Sequence, residues 1–514
     1  MHIPGPHSEI ELKLQIPASA LRRLSAHPLL KSRGRAASRK LYSVYFDTPE
    51  LDLWRQGVAL RLRREGKRWV QTVKDGGEVQ AGLHRRIEIE TKVAGPFPDY
   101  AAIDDAAMAD LFASPQLREQ LKPVFVTEFN RTTRIITPHP ELEVEVCVDR
   151  GDIRSGARIE AICEIELELK TGPASRLFDL ALALLDAVPL RIENRSKAER
   201  GYALFQNLRP VPVKSHAAAL AADMSVNDAF KAIAWTTLSH LQANERGMRE
   251  AEDPECLHQM RVALRRLRSA FGIFDGVLPE TATAPHVSGL KWLAAALGPA
   301  RDWDVFMTET LPPIRSAFGE HVGLAAFASQ CAQLRLAARR RARRAVNSKR
   351  YQRLVLALGG WLTAEAWTGS MQAEALAATR VPVLEFAGTV LERRASQVAK
   401  RGRKLPQQTS AQLHCLRIAV KKLRYTADFF ASLYDARQVS ETLAHLARLQ
   451  DILGTMNDAA AVSALISQGF GARPGRSVIE ARSIMLGWSQ GRAATLRREP
   501  RAAWKAYRAL RLFW

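Results

Sequence analysis

Side chains alternate between the two faces of a β-strand, so Glu9-Ile10-Glu11-Leu12-Lys13-Leu14 puts two carboxylates and an ammonium on one face and three aliphatic groups on the other. The pattern returns as Leu60-Arg61-Leu62-Arg63, as Arg86-Ile87-Glu88-Ile89-Glu90 and as Glu164-Ile165-Glu166-Leu167-Glu168. A core has no use for such charge, whereas a closed sheet with a polar interior requires it. Acidic and basic strands in one domain point to a metal ion together with a polyanion.

Alternating segments near 9–15, 41–47, 58–64, 68–74, 84–91, 125–136, 141–149 and 160–170 predict about eight antiparallel strands, hence a barrel or tunnel. Helices are expected over 17–27, 104–121 and 173–187, and the turns Glu65-Gly66-Lys67 and Asp75-Gly76-Gly77 read as hairpins. Pro210 and Pro212 open a linker, and from about 225 onward the pattern is helical, with loops expected at Pro279–Pro285, Pro312-Pro313, Pro406–Ser410 and Gly471–Gly475. The fold class is thus an α+β domain holding an eight-stranded antiparallel tunnel, then an all-α duplicated helical bundle. The boundaries are 1–208, a linker over 209–224, and 225–514.

The duplication is explicit. His258, Arg261, Arg265 and Arg268 are echoed by His414, Arg417, Lys421 and Arg424 at an offset of about 156 residues, which also relates Leu297-Gly298 and Asp302 to Leu453-Gly454 and Asp458. Two repeats, about 225–380 and 381–514, are expected. In the first copy Leu257, Met260, Leu264, Leu267, Phe271 and Phe274 form a core stripe. The basic residues make a second stripe beside it, flanked by Arg266 in the first copy and Lys422 in the second. An expected helix over 335–353 adds Arg335, Arg339 and further arginines, and 393–404 adds Arg393, Arg394, Lys400, Arg401, Arg403 and Lys404.

The net charge of +22 divides into about +3 over residues 1–210 and about +19 beyond, so the helical half calls for an acidic partner. Aromatic residues are sparse in the basic runs, and no zinc finger or RNA-recognition motif is present, which argues against nucleic acid and for a polyanion read by charge. Five cysteines without metal-ligand spacing predict a reducing compartment, most simply the cytoplasm. No signal-peptide pattern or membrane-length apolar run is seen. Nucleophile motifs, Walker loops and dinucleotide fingerprints are also missing. For the strands, the chemistry that needs both signs of charge is phosphoryl transfer: carboxylates hold Mg²⁺ or Mn²⁺, and arginine and lysine bind phosphate oxygens.

In these residues the first half resembles the CYTH superfamily of triphosphate tunnel metalloenzymes. The matching motifs are Glu9-x-Glu11-x-Lys13, Tyr45-Phe46-Asp47-Thr48, Arg61-x-Arg63, Thr72-Val73-Lys74, Arg86-x-Glu88-x-Glu90, Phe125 to Arg131, Glu164-x-Glu166-x-Glu168 and Ser196 to Tyr202. The helical half resembles CHAD, a conserved-histidine α-helical domain known as a binder of inorganic polyphosphate. The resemblance implies metal ligands Glu9, Glu11, Glu164 and Glu166, with Glu88 and Glu90 holding a second metal or the water, and Glu168 facing the same way. It implies Lys13, Arg61, Arg63, Lys74, Arg131 and Lys197 as phosphate binders; Arg86 joins the substrate-binding set, and Glu9, Glu11, Lys13 and Lys197 form the catalytic set. Polyphosphate is assigned to the two basic stripes, with fewer bidentate contacts in the second, where Lys421 and Lys422 replace Arg265 and Arg266 and Asn457 stands opposite Arg301. The expected activity is hydrolysis of tripolyphosphate to diphosphate and phosphate, in a protein that meets polyphosphate granules. The alternatives are a non-catalytic polyphosphate receptor and, ranked lower, an adenylate cyclase or a thiamine triphosphatase.

Overall fold

The computed structural model describes residues 8–31, 36–251, 253–319, 321–403, 405, 408–455, 462, 464–466, 470, 475–495 and 499–514. Expectations for Lys404, Asn457, Asp458 and the loop positions 406–407 and 471–474 fall outside these residues. Two compact units emerge, Met1–Pro210 with Ser348–Glu365, and Val211–Asn347 with Ala366–Trp514.

The first unit is built on ten strands: β1 (Ser8–Gln15), β2 (Ala37–Asp47), β3 (Ala59–Glu65), β4 (Arg68–Lys74), β5 (Glu78–Gln80), β6 (Leu83–Val93), β7 (Lys122–His139), β8 (Leu142–Ser155), β9 (Arg158–Thr171) and β10 (Arg191–Ile192). Eight of them close an antiparallel barrel in the order β1-β9-β8-β7-β2-β3-β4-β6, with β6 returning to β1. Strands β5 and β10 are short additions to β6 and β1. The β3–β4 hairpin turns at Gly66, whose φ of 64° suits the tight loop between Glu65 and Arg68.

Strand β8 runs past the expected end at residue 149. Arg150, Gly151 and Asp152 stay in the ladder with β7, and Gly151 permits that close pairing, since a Cβ there would meet Glu128 O at 2.1 Å. The expected helix over 104–121 is two short helices, Ala106–Leu111 and Pro115–Gln120. Ser114 caps the second, and Pro115 sits in its first turn, where a missing amide costs nothing. The region 17–27 likewise holds only a 3₁₀ turn, Ala18–Ala20, and a short helix, Leu21–Ser25.

On the outer barrel face Leu12, Leu14, Val144, Val146, Ile165 and Leu167 are all buried. Helix Ser175–Ala187 buries Leu177, Phe178, Leu180, Ala181, Leu184 and Leu185 on its apolar side. Each such aliphatic side chain removed from water contributes about 2 kcal/mol, which leaves the inner face free to carry charge.

The second unit is helical throughout and keeps the repeat. Helix Pro254–Ile273 corresponds to Ser410–Phe429, and Glu280–Val305 begins where Ala436–Thr455 begins in the second copy. The expected loop at 279–285 is helix from Glu280 onward. Pro312-Pro313 is also helical, because these prolines occupy the first turn of Leu311–Phe318, whose amides need no partner. Residues of the expected linker are anchored: Val213 N donates to Asn244 Oδ1 at 3.0 Å, and Leu220 N to Ser432 Oγ at 3.0 Å. The expected helix over 335–353 is interrupted at Asn347-Ser348, and the helix after the break, Lys349–Ala364, counts with the first unit. No helix among the described residues is long and apolar enough to cross a membrane.

Candidate functional site

Directly opposed residues in an antiparallel pair share a face. Glu11 opposes Glu168, Lys13 opposes Glu166, Glu164 opposes Asp149, and Asp149 opposes Arg131. On the other side of the ring Arg61 opposes Thr72, Thr72 opposes Glu90, Lys74 opposes Glu88, and Glu9 opposes Arg86. Register alone therefore brings the charged positions of β1, β3, β4, β6, β7, β8 and β9 onto the inner face.

The deepest group is Asp149, Glu164 and Glu166, whose carboxylate oxygens lie within 4.8 Å of one another. Lys197 Nζ stands among them, 2.6 Å from Asp149 Oδ2, 2.5 Å from Glu164 Oε1 and 2.9 Å from Glu166 Oε1. Lys13 Nζ reaches Glu166 Oε1 at 2.5 Å and Glu11 Oε1 at 2.8 Å. Arg131 grips Asp149 through Nε at 2.8 Å and Nη2 at 2.6 Å, and pairs with Glu166 as well. Burial opposes ionisation of Glu166, but Lys13, Lys197 and Arg131 hold its carboxyl well below the usual range. Burial also works against the Lys197 ammonium, and Asp149, Glu164 and Glu166 outweigh it, so its pKa rises. Three hard oxygen donors around a seated cation are a suitable donor set for a divalent metal.

Lys197 is held there by its helix, Lys197–Phe205. Ser196 and Glu199 form a reciprocal capping box at its start. Arg200, one turn on, donates to Glu164 Oε2 at 2.7 Å, to Glu160 Oε1 at 2.8 Å and to Ala161 O at 2.6 Å. Gly201 permits the approach, since a Cβ there would fall 2.1 Å from the Phe125 ring.

A second group gathers around β1 and β6. Arg86 Nη2 donates to Glu11 Oε1 at 3.0 Å, Lys74 pairs with Glu88, and Arg61 Nη2 reaches Glu90 Oε1 at 3.1 Å. Burial and the neighbouring carboxylates of Glu88, Glu168 and Glu11 push Glu9 up to about 7, against the pull of Lys74. Burial and Arg61 push Lys74 down to about 7. Glu88 would rise on burial, but Lys74 and Arg61 bring it down to about 2. Among the described residues Glu9 has no ion-pair partner within 4 Å, and Glu90 is half exposed. Glu9, Glu11 and Glu88 therefore lie apart from the Asp149 triangle, with Lys13 bridging Glu11 to Glu166.

Arg61 and Arg63 supply a basic wall. Arg61 Nη2 donates to Thr72 Oγ1 at 2.7 Å, yet its Nε is buried without a hydrogen-bond partner among the described residues. Burial, then the charges of Arg61 and Arg131, push Arg63 down to about 10, and its Nε reaches Ser43 Oγ at 3.4 Å. Mutually repelling guanidiniums with spare donors are arranged for an anion.

In the second unit the predicted core stripe is buried. The basic stripes of the two repeats face one another: burial, then Arg265, Arg417, Arg261 and Arg268, push Lys421 down to about 8. Arg265 Nε and Arg417 Nε are buried without partners among the described residues. The repeat extends to the contacts of its arginines: a Cβ on Gly298 would lie 2.9 Å from Arg261 Nη1, and one on Gly454 would lie 3.6 Å from Arg417 Nη2. His258 is half-buried and His414 exposed; burial and Arg301 lower the pKa of His258. Arg424 rests near the Tyr425 ring at 5.9 Å.

Several basic residues serve the fold instead. Arg266 is buried against Asp428 and the Phe429 ring. Arg335 and Arg339 converge on the buried Asp304 at 2.6 and 2.9 Å.

Asp149 and Arg200 went unread in the sequence. The signal for Asp149 was its alternation with Cys147 and Glu145, but one carboxylate in a mixed strand is silent until register sets it opposite Glu164. Arg200 lay inside the Ser196 to Tyr202 motif, with nothing local to reveal its partner.

Comparison with known proteins agrees with this architecture. Residues 7–202 match the CYTH domain family and residues 232–467 the CHAD domain family, so the chain carries a CYTH domain followed by a CHAD domain. The crystal structure of the CHAD domain from the plant Ricinus communis is 31% identical, superposes with a TM-score of 0.51, and covers 59% of this chain and 99% of its own. An inorganic triphosphatase of Haemophilus influenzae is 34% identical over 165 residues, 32% of this chain. The match spans 46% of that relative's length, about half.

Proposed function

We propose that the barrel hydrolyses inorganic tripolyphosphate to diphosphate and phosphate with Mg²⁺ or Mn²⁺, and that the helical unit binds inorganic polyphosphate. The observation that carries the first part is the Asp149–Glu164–Glu166 triangle lying in one barrel with Arg61, Arg63 and Arg131. In this reading Asp149, Glu164 and Glu166 hold the ion, with Glu9 and Glu11 as further carboxylates toward β6. When bound, the ion polarises the transferred phosphoryl group and acidifies an attacking water. Arg61, Arg63 and Lys74 hold the phosphate oxygens and fix the chain in line, and the spare Arg61 Nε is a donor kept for them. Glu9, raised to about 7 by burial, is a stronger base than an ordinary carboxylate, and in its ionised form it is suited to accept a proton from the attacking water and become the neutral acid. The matched inorganic triphosphatase supports the choice of substrate.

For the helical unit, support comes from two facing stripes with more positive charge than local carboxylates balance, and from buried guanidinium nitrogens without partners. Such a seam selects a flexible polyanion by charge density.

Phosphate release should be measured over tripolyphosphate, ATP, thiamine triphosphate and long-chain polyphosphate with each metal. Tripolyphosphate should be preferred, and Glu9→Gln with Glu11→Gln should abolish release while the circular dichroism spectrum is kept. Tight polyphosphate binding with no phosphate release under either metal would make the barrel a receptor instead.

A further inference from the structure

Strand β1 carries Glu9, Glu11 and Lys13, and its far end is held by the segment 191–197. Leu14 and Gln15 pair with Ile192 and Arg191. Glu193 N donates to Lys13 O at 3.0 Å, His84 Nε2 lies 3.3 Å from Glu193 O, and Asn194 Oδ1 accepts from Gly82 N at 2.7 Å. Gly82 O in turn accepts from Lys13 N at 2.9 Å. Two residues past Arg195 comes Lys197, seated in the carboxylate triangle. One short segment thus sets both the backbone of Lys13 and the start of the helix that delivers Lys197.

That segment is itself braced from outside the first 210 residues. Gln352, on helix Lys349–Ala364, is 3% exposed, and its Oε1 accepts from Ile192 N at 3.0 Å. The helix is clamped at one end by Asp186, whose carboxylate pairs with Lys349 at 3.0 Å and also with Arg353. Further along, Gly359 and Gly360 let it press on Phe178, where added Cβ atoms would stand 2.5 and 3.0 Å from that side chain. The nearness of Gln352 to the site is in space only, since it lies 160 residues from Ile192 in sequence.

We infer that Gln352 is a positioning residue for the barrel site, and that helix Lys349–Ala364 is the strut through which residues beyond the barrel set the placement of Lys13 and Lys197. The inference rests on the triphosphatase reading for its kinetic consequence, but not for its structural one. Gln352→Leu leaves the Ile192 amide buried without an acceptor, whereas Gln352→Glu keeps an oxygen in the same place.

The test uses the full-length chain. In Gln352→Leu, kcat for tripolyphosphate should fall about tenfold, with KM changed less than about twofold, because a displaced lysine costs the transition state more than the ground state. Gln352→Glu should recover most of kcat. Hydrogen exchange, which needs no activity, should speed up at the amides of Ile192 and Glu193 in Gln352→Leu, with far less change in β8. Wild-type protein that releases no phosphate would overturn the triphosphatase reading and leave exchange to judge the strut. Unchanged exchange at 192–193, or equal losses of kcat in both variants tracking a common fall in melting temperature, would overturn the inference.

Discussion

The Lys197 ammonium stands 2.6 Å from Asp149 Oδ2, so an internal cation is seated within the triangle of Asp149, Glu164 and Glu166. A divalent ion that enters must share or displace that charge. Replacing Lys197 with Met should therefore raise Mn²⁺ affinity about tenfold, roughly 1.4 kcal/mol, as read by calorimetry. The metal-free variant should lose about 3 kcal/mol of stability, since its carboxylates are left buried and less compensated, and metal should restore it. Unchanged Mn²⁺ affinity would show that the ammonium does not compete.

Asp149→Asn keeps the shape of the side chain and removes its charge. Hydrolysis of tripolyphosphate should drop at least about a hundredfold, around 2.7 kcal/mol of lost transition-state stabilisation, in a phosphate-release assay at saturating metal. Mn²⁺ binding should weaken in parallel. Retention of both would remove Asp149 from the site.

Polyphosphate binding by the helical unit should depend on pH through Lys421. Its pKa is depressed to about 8, so its contribution to stability is present above the unfolded value of 10.5 and is lost as pH falls through 8. A bound polyanion favours the charged form, so affinity should be highest below pH 8 and decline as pH rises past it. Titration of long-chain polyphosphate at fixed salt between pH 7 and pH 9 reads this, and Lys421→Arg should flatten the decline.

Gly201→Ala tests how closely the Lys197 helix is set against the barrel. With Phe125 at 2.1 Å from the new methyl group, overpacking should cost about 1–3 kcal/mol and lower the melting temperature. Activity should fall with it, because the helix that carries Lys197 and Arg200 must move. An unchanged melting temperature would mean that the Phe125 ring yields freely.

Much of this was legible in the sequence. Period-two alternation at Glu9–Lys13, Arg61–Arg63 and Glu164–Glu168 marked both the strands and their charged face, since the alternation is a property of the strand itself. The repeat at Arg261 and Arg417 was equally plain, and it survives as helices in matching register. Strand ends that depend on close approach were not: β8 was expected to end near residue 149 but runs to Ser155, since Gly151 has no Cβ to keep the β7 backbone away. Charge runs were overread in the same way, as with Arg335 and Arg339, whose partner Asp304 lies more than thirty residues away.

Local pattern by itself thus determined where most strands and the helical half lie and which strand faces are charged, though not every element's bounds, because those preferences act between near neighbours along the chain. Tertiary structure decided the rest: that Asp149 meets Glu164, that Lys197 sits among three carboxylates, and that Gln352 holds Ile192. Strand register and helix docking are settled by total burial and by pairing of distant polar groups, and no short stretch of sequence contains both partners.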